Sequence, residues 1–211
     1  MLTKRLRELT NRVPTCETVL DVGCDHGIVA YSLVKSGKVK KVLLSDISKN
    51  SLEKARKLIG DEFPESEFFV SDGVEKVESH FDFCIVAGMG GLEIAKIIDD
   101  KKIDHALLQP MNNIDVLRRK LIELGFAIVS DEIVFDDKFY NMIVVKRGID
   151  ELSQMEVVFG RTNLKNMSED FVAYLNVEEK KNLEILKNVP KGERRDELVR
   201  YIALIKELLK I

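Results

Sequence analysis

From residue 18 to residue 124 the chain alternates short apolar runs with helix-length segments, and this alternation constrains the fold more than any other feature. The runs fall at residues 18–22, 41–46, 68–71, 81–87 and 103–109. Apolar runs with little polar alternation are what strands buried on both faces look like. Strands joined through helix-length segments imply right-handed crossovers and a parallel sheet. Helices are expected over 27–36, from Ser48 through Leu58, from the glycines after Ala87 to about Ile98, and over 114–124. Ser48 suits the N-cap of the second, because its hydroxyl can accept an orphan backbone N–H.

The pattern changes at residue 126. Residues 126–135 and 139–146 read as two strands with only Asp136-Asp137-Lys138 between them. That is a hairpin, so the last strand runs antiparallel. The expected fold class is therefore α/β, a Rossmann-like sheet of seven strands with the last antiparallel. Dehydrogenases of the other Rossmann group normally keep their strands parallel. Beyond Gly148 no strand is evident. A helix begins near Phe171 and runs through Leu186, and Val189-Pro190-Lys191-Gly192 breaks it. Leu198, Ile202, Ile205 and Leu209 then recur at helical spacing on one face. Two domains are expected: a ligand-binding, catalytic domain over 1–148 and an α-helical hairpin over 149–211.

With 211 residues, 45% of them apolar, the chain can bury a full α/β core plus an appendage. No run approaches a membrane span, and charges at Lys4, Arg5 and Arg7 are unlike a secretory signal. Cys16, Cys24 and Cys84 are odd in number and far apart. They form neither a zinc pattern nor a disulfide framework, which points to a reducing cytoplasm and no structural metal. A net charge of −3 argues against non-specific nucleic-acid binding. Local patches remain at Lys4, Arg5, Arg7 and Arg12, and at Arg118-Arg119-Lys120; each group reads first as a solvated helix face.

The first strand ends in Asp21-Val22-Gly23-Cys24-Asp25-His26-Gly27. Gly23 and Gly27 bracket a turn into a helix, where a bare backbone can approach a ligand closely. The pattern resembles motif I of Rossmann-like methyltransferases, with Asp25 in place of the middle glycine. Asp46 ends the second strand and can accept hydrogen bonds from ribose hydroxyls. Ser71, Asp72 and Gly73 follow the third strand, where an acidic residue can hold an adenine amino group. Ala87, Gly88, Met89 and Gly90 end the fourth strand, and Gln109 and Pro110 the fifth. Ligands bind at such strand C-termini in open α/β sheets. NAD fits less well. Its fingerprint needs G-x-G-x-x-G to bring a helix N-terminus to a pyrophosphate. A carboxylate at Asp25 would repel that group but suit the cationic sulfonium of S-adenosylmethionine.

The order of Asp21-Val22-Gly23-Cys24-Asp25-His26-Gly27, Ala87-Gly88-Met89-Gly90-Gly91 and Leu108-Gln109-Pro110 resembles the bacterial TrmK family. Its members are tRNA methyltransferases that modify N1 of adenine 22 in the D-arm. The family pairs a Rossmann-like domain with a C-terminal, coiled-coil-like helical hairpin, so the resemblance covers essentially the whole chain. One departure is the first motif, G-C-D-H-G-I here and often G-S-D-H-A-Y in the family, which removes a tyrosine near the site.

The resemblance implies S-adenosylmethionine as cofactor, tRNA as partner and no membrane, with a monomer favoured. The expected cofactor-binding residues are Asp21, Gly23, Gly27, Asp46, Ser71, Asp72, Gly73, Ala87, Gly88 and Met89. Gly90, Gln109, Pro110, Arg5 and Arg7 are expected on the substrate side. Asp25 is the candidate to stabilise the cationic product base, with His26 second. Arg161, Lys165, Arg194, Arg195 and Arg200 are candidates for RNA contact. The alternatives are a small-molecule methyltransferase, active without RNA, and a non-catalytic protein that binds S-adenosylmethionine or RNA but methylates no transcript.

Overall fold

A computed structural model describes residues 2–210. Seven strands form one sheet: β1 (Cys16–Val22), β2 (Val39–Asp46), β3 (Glu67–Val70), β4 (Phe83–Met89), β5 (His105–Pro110), β6 (Phe126–Phe135) and β7 (Phe139–Arg147). Their order is β3-β2-β1-β4-β5-β7-β6. The first five run parallel, and β7 inserts antiparallel between β5 and β6. This is the sheet that the alternation and the terminal hairpin predict. In β1, Val19–Val22 pair with Val42–Ser45 of β2 and with Phe83–Val86 of β4. The central strands are covered on both faces, which is why their sequences barely alternate.

Helices α2 (Ile28–Lys35), α3 (Lys49–Ile59), α4 (Gly91–Ile98) and α5 (Ile114–Glu123) supply the covers. One face buries Val19, Val42, Leu44 and Ile85 with Leu33, Leu52 and Ile59. The other buries Leu20, Leu43, Val86 and Leu108 with Ile94, Ile98, Leu117 and Leu121. Ser48 caps α3 as expected, its hydroxyl accepting the Ser51 N–H at 3.2 Å.

Helix α1 (Lys4–Arg12) was not anticipated. Its signals are present: Thr3 accepts the Leu6 N–H, and Leu6, Leu9 and Val13 recur at helical spacing. Leu9 is fully buried in the sheet's core. Arg12 is consumed by this packing, paired with Glu8 on its own helix and with Glu132 of β6 at 2.9 Å.

In the basic group at 118–120, Arg119 and Lys120 are solvated but Arg118 is not. Arg118 is buried and makes a bidentate pair with Asp131 at 2.6 and 2.9 Å. Its Nη1 donates to the carbonyls of Val157 and Val158 at the end of α6 (Gln154–Phe159). The Asn163 side chain, on α7 (Arg161–Asn166), accepts the Ile133 N–H at 2.9 Å. These bonds tie residues 149–164 to the sheet. The compact unit accordingly extends through Leu164, and the second begins at Lys165, sixteen residues beyond the expected boundary at Gly148. The second unit holds α8 (Glu169–Asn188) and α9 (Glu193–Leu209), packed on each other with Phe171, Leu175, Ile202 and Ile205 buried. No helix among the described residues is long and apolar enough to cross a membrane.

Candidate active site

The strand order reverses direction between β1 and β4, and a crevice opens there at the strands' C-terminal ends. A cavity of about 910 Å³ occupies it. Gly23, Asp46, Ser71, Asp72, Gly73, Ala87, Gly88 and Met89 line it, so residues from the ends of four successive strands converge.

The β1 turn is shaped by backbone. Gly23 takes a left-handed φ of 67°, and its N–H donates to the Ser45 carbonyl at 2.7 Å. A side chain there would collide with the Met89 methyl group, so the β1 and β4 turns meet closely. Gly27 has a different task. Its φ is 72°, and a Cβ would lie 2.9 Å from Ala55 and 3.0 Å from Leu44. Gly27 thus lets α2 dock on α3 and β2, and it does not line the cavity.

Asp46 is held in place before any ligand arrives. Its two oxygens accept the Ser48 N–H at 2.8 Å and the Asp25 N–H at 3.1 Å. Each oxygen keeps acceptor capacity for a further donor. Ser71 is buried and builds the next turn, its hydroxyl accepting the Lys76 N–H at 3.1 Å. Asp72, exposed beside it, faces the cavity. Ile47 also lines the wall and is 75% exposed, an apolar surface that sequence reasoning missed. Its signal is an isoleucine placed directly after the acidic end of β2, outside the core pattern.

The wall is acidic. Asp46, Asp72, Glu75, Glu93, Asp99 and Asp100 line it against one cation, Lys96. Beneath Gly23, Asp21 is buried, and burial pushes its carboxyl up to about 7, with the charge of Asp46 adding to the rise. Such a crevice concentrates a positively charged ligand and disfavours a pyrophosphate. The Cys24 and Cys84 thiols are held up by burial, so neither is an activated nucleophile.

Asp25 and His26 lie outside the cavity wall. Asp25 adopts a left-handed φ of 49°, which turns its backbone N–H toward Asp46 and its side chain out to solvent. His26 Nδ1 is 3.5 Å from the Asp25 carboxylate, and its Nε2 is 2.9 Å from Lys54 of α3. The two candidate catalytic residues therefore sit at the rim, on the Asp46 side.

Arg5 stands beside the Gly88 turn, outside the cavity lining. Its Nε donates to Gln109 Oε1 at 2.9 Å, and its guanidinium lies 5.0 Å over the Tyr140 ring. The carboxylate of Asp136 accepts its backbone N–H at 2.9 Å. One Nη reaches 3.5 Å from where a Cβ on Gly88 would be. Gln109 is fully buried and donates to the Pro110 carbonyl. Gln109 thus supports Arg5, and neither Gln109 nor Pro110 lines the cavity. Arg7 is exposed on α1 and does not line the cavity. Two other expected RNA contacts are engaged: Arg161 with Asp150 and Glu156, and Arg195 with the carbonyls of Leu186 and Val189. Lys165, Arg194 and Arg200 are exposed.

This sheet order, with a carboxylate-lined cavity at the switch point, defines a Rossmann-like methyltransferase. The family model "Methyltransferase domain" matches residues 2–143. "Putative tRNA methyltransferase MG248" of Mycoplasma genitalium is 32% identical over 153 residues, 68% of this chain and 69% of that one. The tRNA (adenine(22)-N(1))-methyltransferase of Bacillus subtilis is 26% identical, with 70% and 66% covered. Among solved structures, Sp1610 of Streptococcus pneumoniae in complex with S-adenosyl-L-methionine superposes with a TM-score of 0.89 at 30% identity, covering 99% of this chain and all of that one. The chain belongs to the methyltransferase-domain family and, within it, to the TrmK family.

Proposed function

We propose that the chain transfers a methyl group from S-adenosylmethionine to N1 of adenine 22 in the D-arm of tRNA. The observation that carries this reading is the acidic, glycine-turned cavity with Arg5 fixed beside its Gly88 turn. The wall fits the cofactor. Asp46 has acceptor capacity for ribose hydroxyls, Asp72 for an adenine amino group, and Ile47 offers an apolar face for the ring. Gly23 and Asp21 take the methionine end, where the buried carboxyl gains a cationic partner. S-adenosylmethionine supplies a methyl group already activated on sulfur.

Adenine N1 carries a free lone pair and no proton, so no general base is required. The protein's task is alignment, which can contribute roughly 7–11 kcal/mol. N1 lies on the Watson–Crick edge, so the base must be unpaired or extruded. Arg5 holds the phosphate of the extruded nucleotide, since its outer nitrogens are presented by Gln109 and Tyr140 at the Gly88 turn. Asp25 fixes Asp46 through its backbone N–H, and with His26 it contacts RNA at the rim. Lys165, Arg194 and Arg200 of the second unit add phosphate contacts, and Arg7 extends them along α1. The enzyme acts as a monomer in the cytoplasm, where its substrate is.

The test is methylation of a tRNA transcript with labelled cofactor, comparing adenine with guanine at position 22. Label should enter only the adenine transcript. Equal incorporation would remove the site assignment, and activity only on small molecules would favour the RNA-independent alternative.

A further inference from the structure

We propose that Glu93 reads the target base: its carboxylate accepts the 6-amino group of adenine and stabilises the positive charge that methylation leaves on the ring. This rests on the adenine-N1 reading above. Glu93 lies on the first turn of α4 and lines the same cavity as Gly23, Asp46 and Met89. One of its oxygens accepts the Gly90 N–H at 2.9 Å, which fixes the carboxylate at the end of β4. The other accepts no hydrogen bond among the described residues. Across the same turn, the Gly91 N–H is shared between the Asn112 backbone carbonyl at 3.1 Å and its Oδ1 at 3.3 Å.

Gly90 sits between the two side chains. Its φ of −67° and ψ of 147° suit any residue, so conformation does not call for glycine. Space does: a Cβ would lie 3.2 Å from Glu93 Oε2 and 3.2 Å from Asn112 Oδ1. The turn thus keeps two acceptors beside a bare backbone, and Glu93 faces the cavity. The 6-amino group of adenine is a donor and matches them. The 6-oxo group of guanine is an acceptor and is repelled, and a site built for a donor rejects its absence strongly.

Charge gives the second reason. The N1 lone pair forms its bond to the methyl carbon as the carbon–sulfur bond breaks and leaves its electron pair on sulfur. Positive charge moves from sulfonium to the adenine amidine, shared between N1 and the 6-amino group. A carboxylate on that amino group attracts the product more than the substrate, so it lowers the barrier between them. Asn112 is a positioning residue, holding the turn on which Glu93 is anchored.

Glu93→Gln keeps an acceptor for the Gly90 N–H and removes the charge. Single-turnover methylation should fall about 100-fold, as for the loss of one aimed electrostatic group, with cofactor affinity within about twofold. A readout independent of turnover is binding of a transcript already carrying N1-methyladenine. The native protein should bind it about fivefold tighter than the unmodified transcript, a charge-assisted preference that Glu93→Gln should abolish. A third arm needs no variant: a transcript with unsubstituted purine at the target, lacking the 6-amino group, should react at least about tenfold more slowly. Turnover within threefold for Glu93→Gln, an unchanged product preference, or equal rates on purine and adenine would each overturn the proposal. If the native protein itself left the adenine transcript unmethylated, the broader reading would fall, and this proposal with it.

Discussion

At the ends of β1, β2 and β3 the crevice is shaped by short backbone turns, whereas the Gly88 turn at the end of β4 is backed by side chains from residues 5, 109, 136 and 140. On the first side the cavity-lining residues lie within a few positions of a strand end, among them Gly23, Asp46, Ile47, Ser71, Asp72 and Gly73. On the second, Arg5 reaches the Gly88 turn only because Gln109, Tyr140 and Asp136 hold it from elements more than a hundred residues away. The first construction recognises a ligand by local geometry, and any chain with those turns can repeat it. The second depends on the whole sheet being assembled, including the antiparallel β7. It suits the task that distinguishes one such enzyme from another, the choice of acceptor.

If this division holds, substitutions on the first side should change cofactor binding and leave RNA binding alone. Asp46→Ala removes an acceptor for ligand hydroxyls and frees the Asp25 and Ser48 amides. Two charge-assisted hydrogen bonds at about 1.5 kcal/mol each predict roughly a 100-fold loss of cofactor affinity. Calorimetric titration with the cofactor checks it, with transcript affinity as the control. Equal losses of both would erase the distinction between the walls. Asp21→Asn tests the electrostatics of the same side. The unfolded carboxyl ionises near 3.8 and the folded one near 7. Folding therefore holds the proton more tightly, and stability from this group is lost as pH rises through that window. Replacing it with a neutral amide should stabilise the protein by about 2 kcal/mol more at pH 8 than at pH 5.5. It should also weaken binding of the cationic cofactor more than of its neutral thioether product. Urea melts at the two pH values decide the first point, and a pH-independent gain would mean Asp21 is not titrating there.

On the second side the expected pattern reverses. Arg5→Ala should lower kcat/KM for tRNA about tenfold and reduce the salt dependence of binding by about one phosphate contact, with cofactor affinity unchanged. Gln109→Met should do the same more weakly and add little in the Arg5→Ala background, because Gln109 acts through Arg5. Additive losses would show that Gln109 meets the substrate itself.

The same contrast decides what could be read in the sequence. The sheet was legible because burial on two faces imposes near-continuous apolar runs, and Asp136-Asp137-Lys138 is too short for anything but a hairpin. Gly23, Asp46 and Asp72 were legible as residues that end successive strands. Arg118 was not. Its neighbours Arg119 and Lys120 are exposed, and only the fold brings Asp131 and the α6 carbonyls to it. The compact unit runs to Leu164, past the expected boundary at Gly148, for the same reason, since those bonds hold residues 149–164 to the sheet. Gln109 could be placed at a strand end, but its burial under Arg5 depends on α1 and β7.

The smallest expected effect carries the sharpest test of the sequence pattern. Read linearly, Asp25 is a carboxylate intruding on a glycine turn, suited to a cationic product. In the fold its side chain is 73% exposed, and its backbone N–H donates to Asp46. Asp25→Gly keeps that N–H and relieves the left-handed φ of 49°. The relief, about 1 kcal/mol, is offset by glycine's greater entropy in the unfolded chain, so stability should barely move. Turnover and cofactor affinity should both stay within about threefold, well under one tenfold step of 1.4 kcal/mol. A hundredfold loss of turnover with intact cofactor binding would restore the carboxylate as a catalytic group. It would also show that the rim moves inward when RNA binds, because only then could the side chain reach the base.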